Sequence, residues 1–289
     1  DQTYRSAAID GSGTYLIRGN ARDAAGVEVG LYAGSFRSDD ENPNGGRRLV
    51  DSLDETSISI EEDGSFEILV RPKSGDASGG VEENLPRNVL TSEPDANAIL
   101  IRTYFWDRKR RQEHGMAEIN RLDITEPRPA LTPESLLRGF IATTMFIDGS
   151  LTWWNSFQEI QAAPNTIVEM ADDGTIQTPS QIRYLNGLVE IDPSQAFILD
   201  FDTTAEPRYW SWVLQNVWGE TPDWRDRPVV LNNRDVERDA SGRVRIVVAH
   251  RDPGHANWMD MSGHPRLLLS LRWRGESPLP KVATKVVTL

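Results

Sequence analysis

Asp63-Gly64-Ser65-Phe66-Glu67-Ile68-Leu69-Val70 and, far downstream, Ala240-Ser241-Gly242-Arg243-Val244-Arg245-Ile246-Val247-Val248 have the same pattern: a glycine turn, then apolar residues at every second position. Apolar residues spaced two apart share one face of a strand, so each stretch predicts a strand that buries one side. Working outward, each strand is followed by a loop with an asparagine, Asn84-Leu85-Pro86 in the first case and Asn257-Trp258-Met259 in the second. Each loop then enters an apolar strand ending in tryptophan, over 99–106 and 267–273. One order of turn, strand, Asn loop and Trp-ending strand, met twice, predicts a mainly β protein of two related antiparallel β-sandwich, jelly-roll-like halves. Two copies are too few for a solenoid or a propeller.

The same alternation predicts further strands over 15–18, 27–32 and 57–60 in the first half. In the second half it predicts 197–201, 209–218, 229–232 and 282–289. Turn chemistry separates the first set at Asn42-Pro43-Asn44-Gly45-Gly46 and through the Gly/Ser stretch 74–80. Between the halves the period changes. Thr132 suits a helix N-cap, Pro133 the first helical position, and Glu134 complements the helix dipole. Apolar spacing is helical to about residue 146, is interrupted by Asp148-Gly149-Ser150, and resumes over 151–160, which predicts a short helical hairpin. The organisation expected is therefore a β half over 1–130, a helical insert over 131–165 and a β half over 166–289.

Composition narrows the partners. The 289 residues are 38% hydrophobic and 26% charged, which allows a core and an ordinary solvated surface. No apolar run reaches the ~18–20 residues of a membrane span, and no basic, hydrophobic leader opens the chain, so no membrane partner is expected. The opening Asp1-Gln2-Thr3 reads as a trimmed start. The net charge of −13 repels phosphate backbones, and the basic run Arg108-Lys109-Arg110-Arg111 reads as a solvated turn, so nucleic acid is not expected either. The absence of cysteine excludes disulfides, zinc–thiolate sites and a cysteine nucleophile. Sandwich edges can close within one chain or pair with a second copy, which leaves a homo-oligomer open.

Candidate chemistry concentrates in the second half. On a strand over 209–218, Trp210, Trp212, Leu214, Asn216 and Trp218 would share one face, an amide among tryptophans. Downstream, Val244, Ile246, Val248 and His250 fall on one face, so His250 would sit at a strand mouth pointing inward, where an imidazole can act as acid or base. Asp252 could orient it, Arg251 could stabilise developing negative charge, and Pro253-Gly254 turns the chain. Two functions follow. One is a small-molecule site for a carbohydrate or a flat apolar ligand, whose chemistry, if it is an enzyme, would be of a lyase or hydrolase type without metal or cofactor. It would be walled by Trp210, Trp212, Trp218 and Trp258, with Asn216, His250, Arg251, Asp252 and Asn257 as its polar groups. The other is a non-catalytic structural or interaction module whose core these residues form.

Other constellations carry less. His250, His255 and His264 with Asp252 and Asp260 match no zinc spacing, and Asp39-Asp40-Glu41-Asn42 lacks the ligand spacing of a calcium loop. A zinc- or calcium-dependent carbohydrate binder is the third reading these groups leave. Asp200 and Asp202 alternate with Phe197, Leu199 and Phe201 and read as the solvent face of a strand. No phosphate loop, nucleophile elbow or dinucleotide fingerprint occurs.

Three segments together resemble the family called domain of unknown function 1214. They are Tyr209-Trp210 through Asn216-Val217-Trp218, Glu220-Thr221-Pro222-Asp223-Trp224-Arg225, and Ala249-His250-Arg251-Asp252-Pro253-Gly254 with Asn257-Trp258. Upstream, Ala8-Ile9-Asp10-Gly11 and the stretch Asp63 to Ile68 resemble it as well. The chain departs from the family where a Ser-x-Asp-Tyr-Arg-like stretch becomes Thr221-Pro222-Asp223-Trp224-Arg225, and where Asn84-Leu85-Pro86 replaces an Asn-Trp-Leu-Pro-like one. The resemblance implies β-sandwich, jelly-roll-like architecture and implies no activity.

Overall fold

The computed structural model describes residues 2–22, 24–34, 47–73, 86–107, 117–124, 130–159, 163–170 and 182–289. Helix side chains are described through residue 152. The Asn42 to Gly46 turn, the 74–80 stretch, Asn84-Leu85, the acidic run at Asp39 and the basic run at Arg108 lie outside these residues. Compactness divides the chain between Gly149 and Ser150.

In the first half the strands are β1 (Gln2–Ala8), β2 (Tyr15–Asn20), β3 (Ala24–Ala33), β4 (Arg48–Leu53), β5 (Ser65–Pro72), β6 (Asn88–Ser92), β7 (Ala96–Phe105) and β8 (Ala117–Arg121). They form two sheets, in the orders β1-β7-β3-β4 and β6-β5-β2-β8. Pairing is antiparallel except for β5 with β6. Val27, Val29, Leu31, Ile99 and Ile101 of one sheet meet Ile17, Phe66, Ile68, Val70 and Leu90 of the other in one buried cluster. Alternate residues on both sheets thus supply a sandwich core.

The second half has β9 (Val168–Glu169), β10 (Ile182–Glu190), β11 (Gln195–Asp202), β12 (Tyr209–Gln215), β13 (Val230–Asn232), β14 (Arg243–Ala249), β15 (Trp258–Asp260), β16 (Arg266–Arg274) and β17 (Ala283–Thr288). Its sheets run β13-β12-β16-β10-β9 and β15-β14-β11-β17. Apart from the added β9, this is the strand order of the first half, with β14 and β15 as the parallel pair. Phe197, Leu199, Phe201, Val244, Ile246 and Val248 face Trp210, Trp212, Leu214, Leu269, Leu271 and Trp273 across its core.

The correspondence extends to single residues. The turns quoted at the outset place Gly64 at φ 85° and Gly242 at φ 81°, a left-handed conformation that favours glycine. Arg18 of β2 stands opposite Glu67 of β5 and bonds it at 2.6 Å; Asp200 of β11 stands opposite Arg245 of β14 and bonds it at 2.8 Å. The two ion pairs occupy matching positions with opposite sign. Tyr4 lies beside Arg102 and Tyr184 beside Arg272 in matching registers, each guanidinium near the ring at 5.8 and 5.9 Å.

Three expectations are corrected. The helical hairpin is one helix, α1 (Pro133–Glu159), because an interior glycine costs only about 1 kcal/mol and Asp148-Gly149-Ser150 is too weak a break. Its start is as read: the Ser135 N–H donates to Thr132 Oγ1 at 3.2 Å and the Thr132 N–H to Ser135 Oγ at 2.9 Å. Residues 57–60 form no strand, since Asp54 caps a turn there by accepting from the Thr56 and Ser57 N–H groups at 2.9 and 3.2 Å, and only Ile58 reaches the core. The strand expected to reach Trp218 ends at Gln215. No helix among the described residues is long and apolar enough to cross a membrane.

Candidate functional site

The tryptophan strand separates into core and turn. Trp210 and Trp212 point inward from β12 and are fully buried. Trp210 stacks on Trp273 at 6.3 Å, and Phe201 meets Trp210 and Trp212 edge-on at 5.5 and 6.0 Å. The Trp210 indole N–H donates to Glu206 Oε2 at 2.6 Å, while Trp212 Nε1 is buried without a hydrogen-bond partner among the described residues. Neither ring forms a wall open to a ligand.

Asn216 and Trp218 leave that face because the chain turns. Asn216 Oδ1 accepts from the Trp218 and Glu220 N–H groups at 2.9 and 3.0 Å, and its amide donates to Glu220 Oε2 at 2.7 Å. The Asn216 N–H also donates to the Glu220 carbonyl at 2.8 Å. An Asn side chain that satisfies the next backbone donors makes a turn in place of a ladder. Trp218, at its tip, is 52% exposed. Gly219, at φ 75°, takes the left-handed conformation that this turn needs.

The second motif closes the β14–β15 crossover. His250 follows β14, is half-buried, and its Nε2 lies 3.1 Å from the Ile191 carbonyl. Asp252 Oδ1 accepts from the Gly254 N–H at 2.8 Å, and Gly254 has φ 75°. No hydrogen bond joins Asp252 to His250 among the described residues, and Arg251 is exposed. His255 Nδ1 accepts from the Asn257 N–H at 3.1 Å. Trp258 donates from Nε1 to the Ala249 carbonyl at 3.2 Å and packs on Ala196, Val247 and Ala249. Asp260 is held by Arg227 at 2.6 Å.

Asn257 is the centre of this arrangement. Only 2% exposed, it accepts from the Glu237 N–H at 2.7 Å and donates to the Glu237 carbonyl at 2.7 Å and the Arg245 carbonyl at 2.9 Å. In the first half Asn88 does the same: it accepts from the Ser59 N–H at 2.6 Å and donates to the Ser59 and Glu67 carbonyls at 2.9 and 2.8 Å. Asn88 is thus the structural counterpart of Asn257. The sequence pattern had suggested Asn84, which lies outside the described residues. An amide with three such partners holds a loop against a strand, with both of its N–H donors and one of its two oxygen lone pairs engaged there.

Sequence reasoning missed a charged cluster on the first half. Glu28 and Arg102 face each other across β3 and β7, with side chains only 2% and 7% exposed, and bond at 2.6 Å. Arg102 also donates to the Tyr32 hydroxyl at 2.9 Å, Tyr104 lies 3.5 Å from Glu28, and Arg47 stacks 3.9 Å from the Tyr32 ring. Burial works against the Arg102 charge, and Tyr32 and Glu28 outweigh it, so its pKa lies above the ordinary value. A cavity of about 60 Å³ elsewhere in this half is lined by Arg5, Ile17, Ile101 and Glu118 among others. It is far below the ~300 Å³ at which small-molecule sites begin.

These features, two sandwiches of one strand order whose polar motifs are engaged in turns and loop contacts, define a class of protein by fold alone. Comparison with protein-family models gives no match, and comparison with curated proteins gives none. Among solved structures, the chain is similar to an uncharacterised protein from Burkholderia cenocepacia. The two are 27% identical with a TM-score of 0.82, over 100% of this chain and 76% of that one. It is also similar to the VPA0106 protein from Vibrio parahaemolyticus, at 10% identity and a TM-score of 0.56, over 99% and 89% of the two chains. The second likeness is one of fold.

Proposed function

We propose that this chain is a non-catalytic interaction module, two sandwiches built by internal duplication. The resemblance to the domain of unknown function 1214 belongs to the same proposal. The commitment of Asn257 carries the reading. All three of its hydrogen bonds go to backbone groups, and Asn88 repeats them in the other half, where the histidine motif has no counterpart. A residue used identically with and without its supposed catalytic neighbours is serving the fold. Trp210 and Trp212, fully buried, support it, because a ligand would have to displace core packing to touch them.

The test is a thermal-shift and tryptophan-fluorescence screen of wild type and His250→Ala against monosaccharides, aromatic alcohols and divalent metals. The expected result is no ligand-dependent shift. His250→Ala should cost about 0.5–1.5 kcal/mol for the lost bond to Ile191. A compound that stabilises wild type and leaves His250→Ala unmoved would overturn the proposal in favour of a small-molecule site.

A further inference from the structure

Helix α1 carries half of the exposed large apolar side chains among the described residues. From Leu136 to Leu151 its eight large apolar side chains are 38–70% exposed, with Phe140 at the upper limit. A Cβ added at Gly139 would meet nothing within 4 Å. At 100° per residue, all but Phe146 of the eight fall within one half of the circumference. Leu137, Phe140, Thr144, Ile147 and Leu151 follow one another at intervals of three, four, three and four, the seam spacing of a helix that packs on another helix. An isolated helix gains little stability in water from propensity alone, so such a stripe calls for a partner.

Resting on the interaction-module reading, we infer that the partner is the same helix of a second copy, packed antiparallel about a twofold axis. Area supports this choice. At about 200 Å² per large side chain, the exposed fractions of the seven on that half amount to on the order of 700 Å² per chain, close to what each partner contributes to a standard interface. Local charge favours this choice over an anionic surface: the stretch 136–151 carries only Arg138 and Asp148, which cancel, and so lacks the basic residues that anionic membranes and nucleic acid call for. Symmetry sets the direction. An antiparallel pair centred near the midpoint of Pro133–Glu159 aligns the full helices, opposes their dipoles, and places Phe140 against Leu151 and Thr144 against Ile147, each twice.

The cysteine-free chain permits a direct test by sedimentation velocity and by crosslinking with a short bismaleimide. Wild type should sediment as a dimer at micromolar concentrations, and more fully as added salt screens the net charge. Phe140→Glu with Ile147→Glu should halve the mass with unchanged circular dichroism, because both side chains are exposed. Thr144→Cys should crosslink to itself across about 4.5 Å of axial offset, while Leu137→Cys, about 25 Å from its copy, should not. A monomer at every concentration, or a dimer indifferent to the double substitution, would overturn self-pairing. Equal crosslinking of the two cysteine variants would overturn the antiparallel arrangement. The ligand screen reads independently: a bound ligand with an intact dimer would refute the non-catalytic module and leave the pairing standing.

Discussion

Replacing Asn257 by alanine removes one acceptor and two donated hydrogen bonds at a site 2% exposed. An unsatisfied buried group costs about 1–3 kcal/mol, but each carbonyl keeps a second lone pair and Glu237 is itself exposed to water. The orphaned Glu237 N–H, the Arg245 carbonyl and the lost packing together put the loss at about 2–4 kcal/mol. For a cooperative unit of this size, that lowers Tm by on the order of 10 °C. Asn257→Asp should be no milder, because it turns a carboxylate oxygen towards two carbonyls. Urea denaturation followed by tryptophan emission is the assay. Trp210, Trp212, Trp218, Trp224, Trp258 and Trp273 all lie in the second half and only Trp106 precedes α1, so the signal reports the half that is perturbed. Asn88→Ala should cost a similar amount and register far more in circular dichroism than in emission. A loss below about 0.5 kcal/mol for Asn257→Ala, on a folded protein, would refute the scaffold role, since a surface substitution does as little.

Trp218→Ala should change stability by no more than about 0.5 kcal/mol and Trp210→Ala by about 3–5 kcal/mol; comparable values would mean that the turn packs as core. Arg102→Met should cost about 1.5–3 kcal/mol by removing the charge-assisted bond to Glu28, which keeps its contact with Tyr104. A single-variant cost under about 1 kcal/mol would contradict the burial of this pair. Stability should also be lost in acid. Hydrogen bonds from Ser65, Thr204 and Ser241 hold Asp63, Asp202 and Asp239 below the usual carboxylate range, and at Asp54 those from Thr56 and Ser57 outweigh a burial that pushes the other way. Depressed folded-state pKa values mean stabilisation present above the unfolded value of about 3.9 and lost as pH falls through the lower folded ones. A urea midpoint that rises as the pH drops below about 4 would reverse that sign.

The residues that alternate cleanly were legible. Phe66, Ile68 and Val70, and Val244, Ile246 and Val248, occupy the core faces that their spacing assigned. Shorter or more polar strands such as β1, β8 and β10 were not, because Thr3, Arg5 or Arg183 dilute a two-residue period. The candidate site was legible as a set of polar residues and illegible in its wiring. His250 and Asp252 are close in sequence, yet each bonds to a different backbone group, a choice made by the crossover from β14 to β15. Glu28 went unnoticed for a related reason. Alternation with Val27, Val29 and Leu31 says which face it occupies and cannot say whether that face is wet.

Two halves of one topology on one chain present a hazard during folding, since a strand of one can take the place of its counterpart in the other. The reversed ion pairs oppose this exchange. Were β2 to pair with β14, Arg18 would stand against Arg245; were β11 to pair with β5, Asp200 would stand against Glu67. Like charges directly opposite are unfavourable, so each misplaced strand loses an attraction and gains a repulsion at the same rung. The pairs add little to the stability of the finished protein, exposed as they are. Their effect falls on the unfinished one, as a label by which each strand is sorted to its own sandwich.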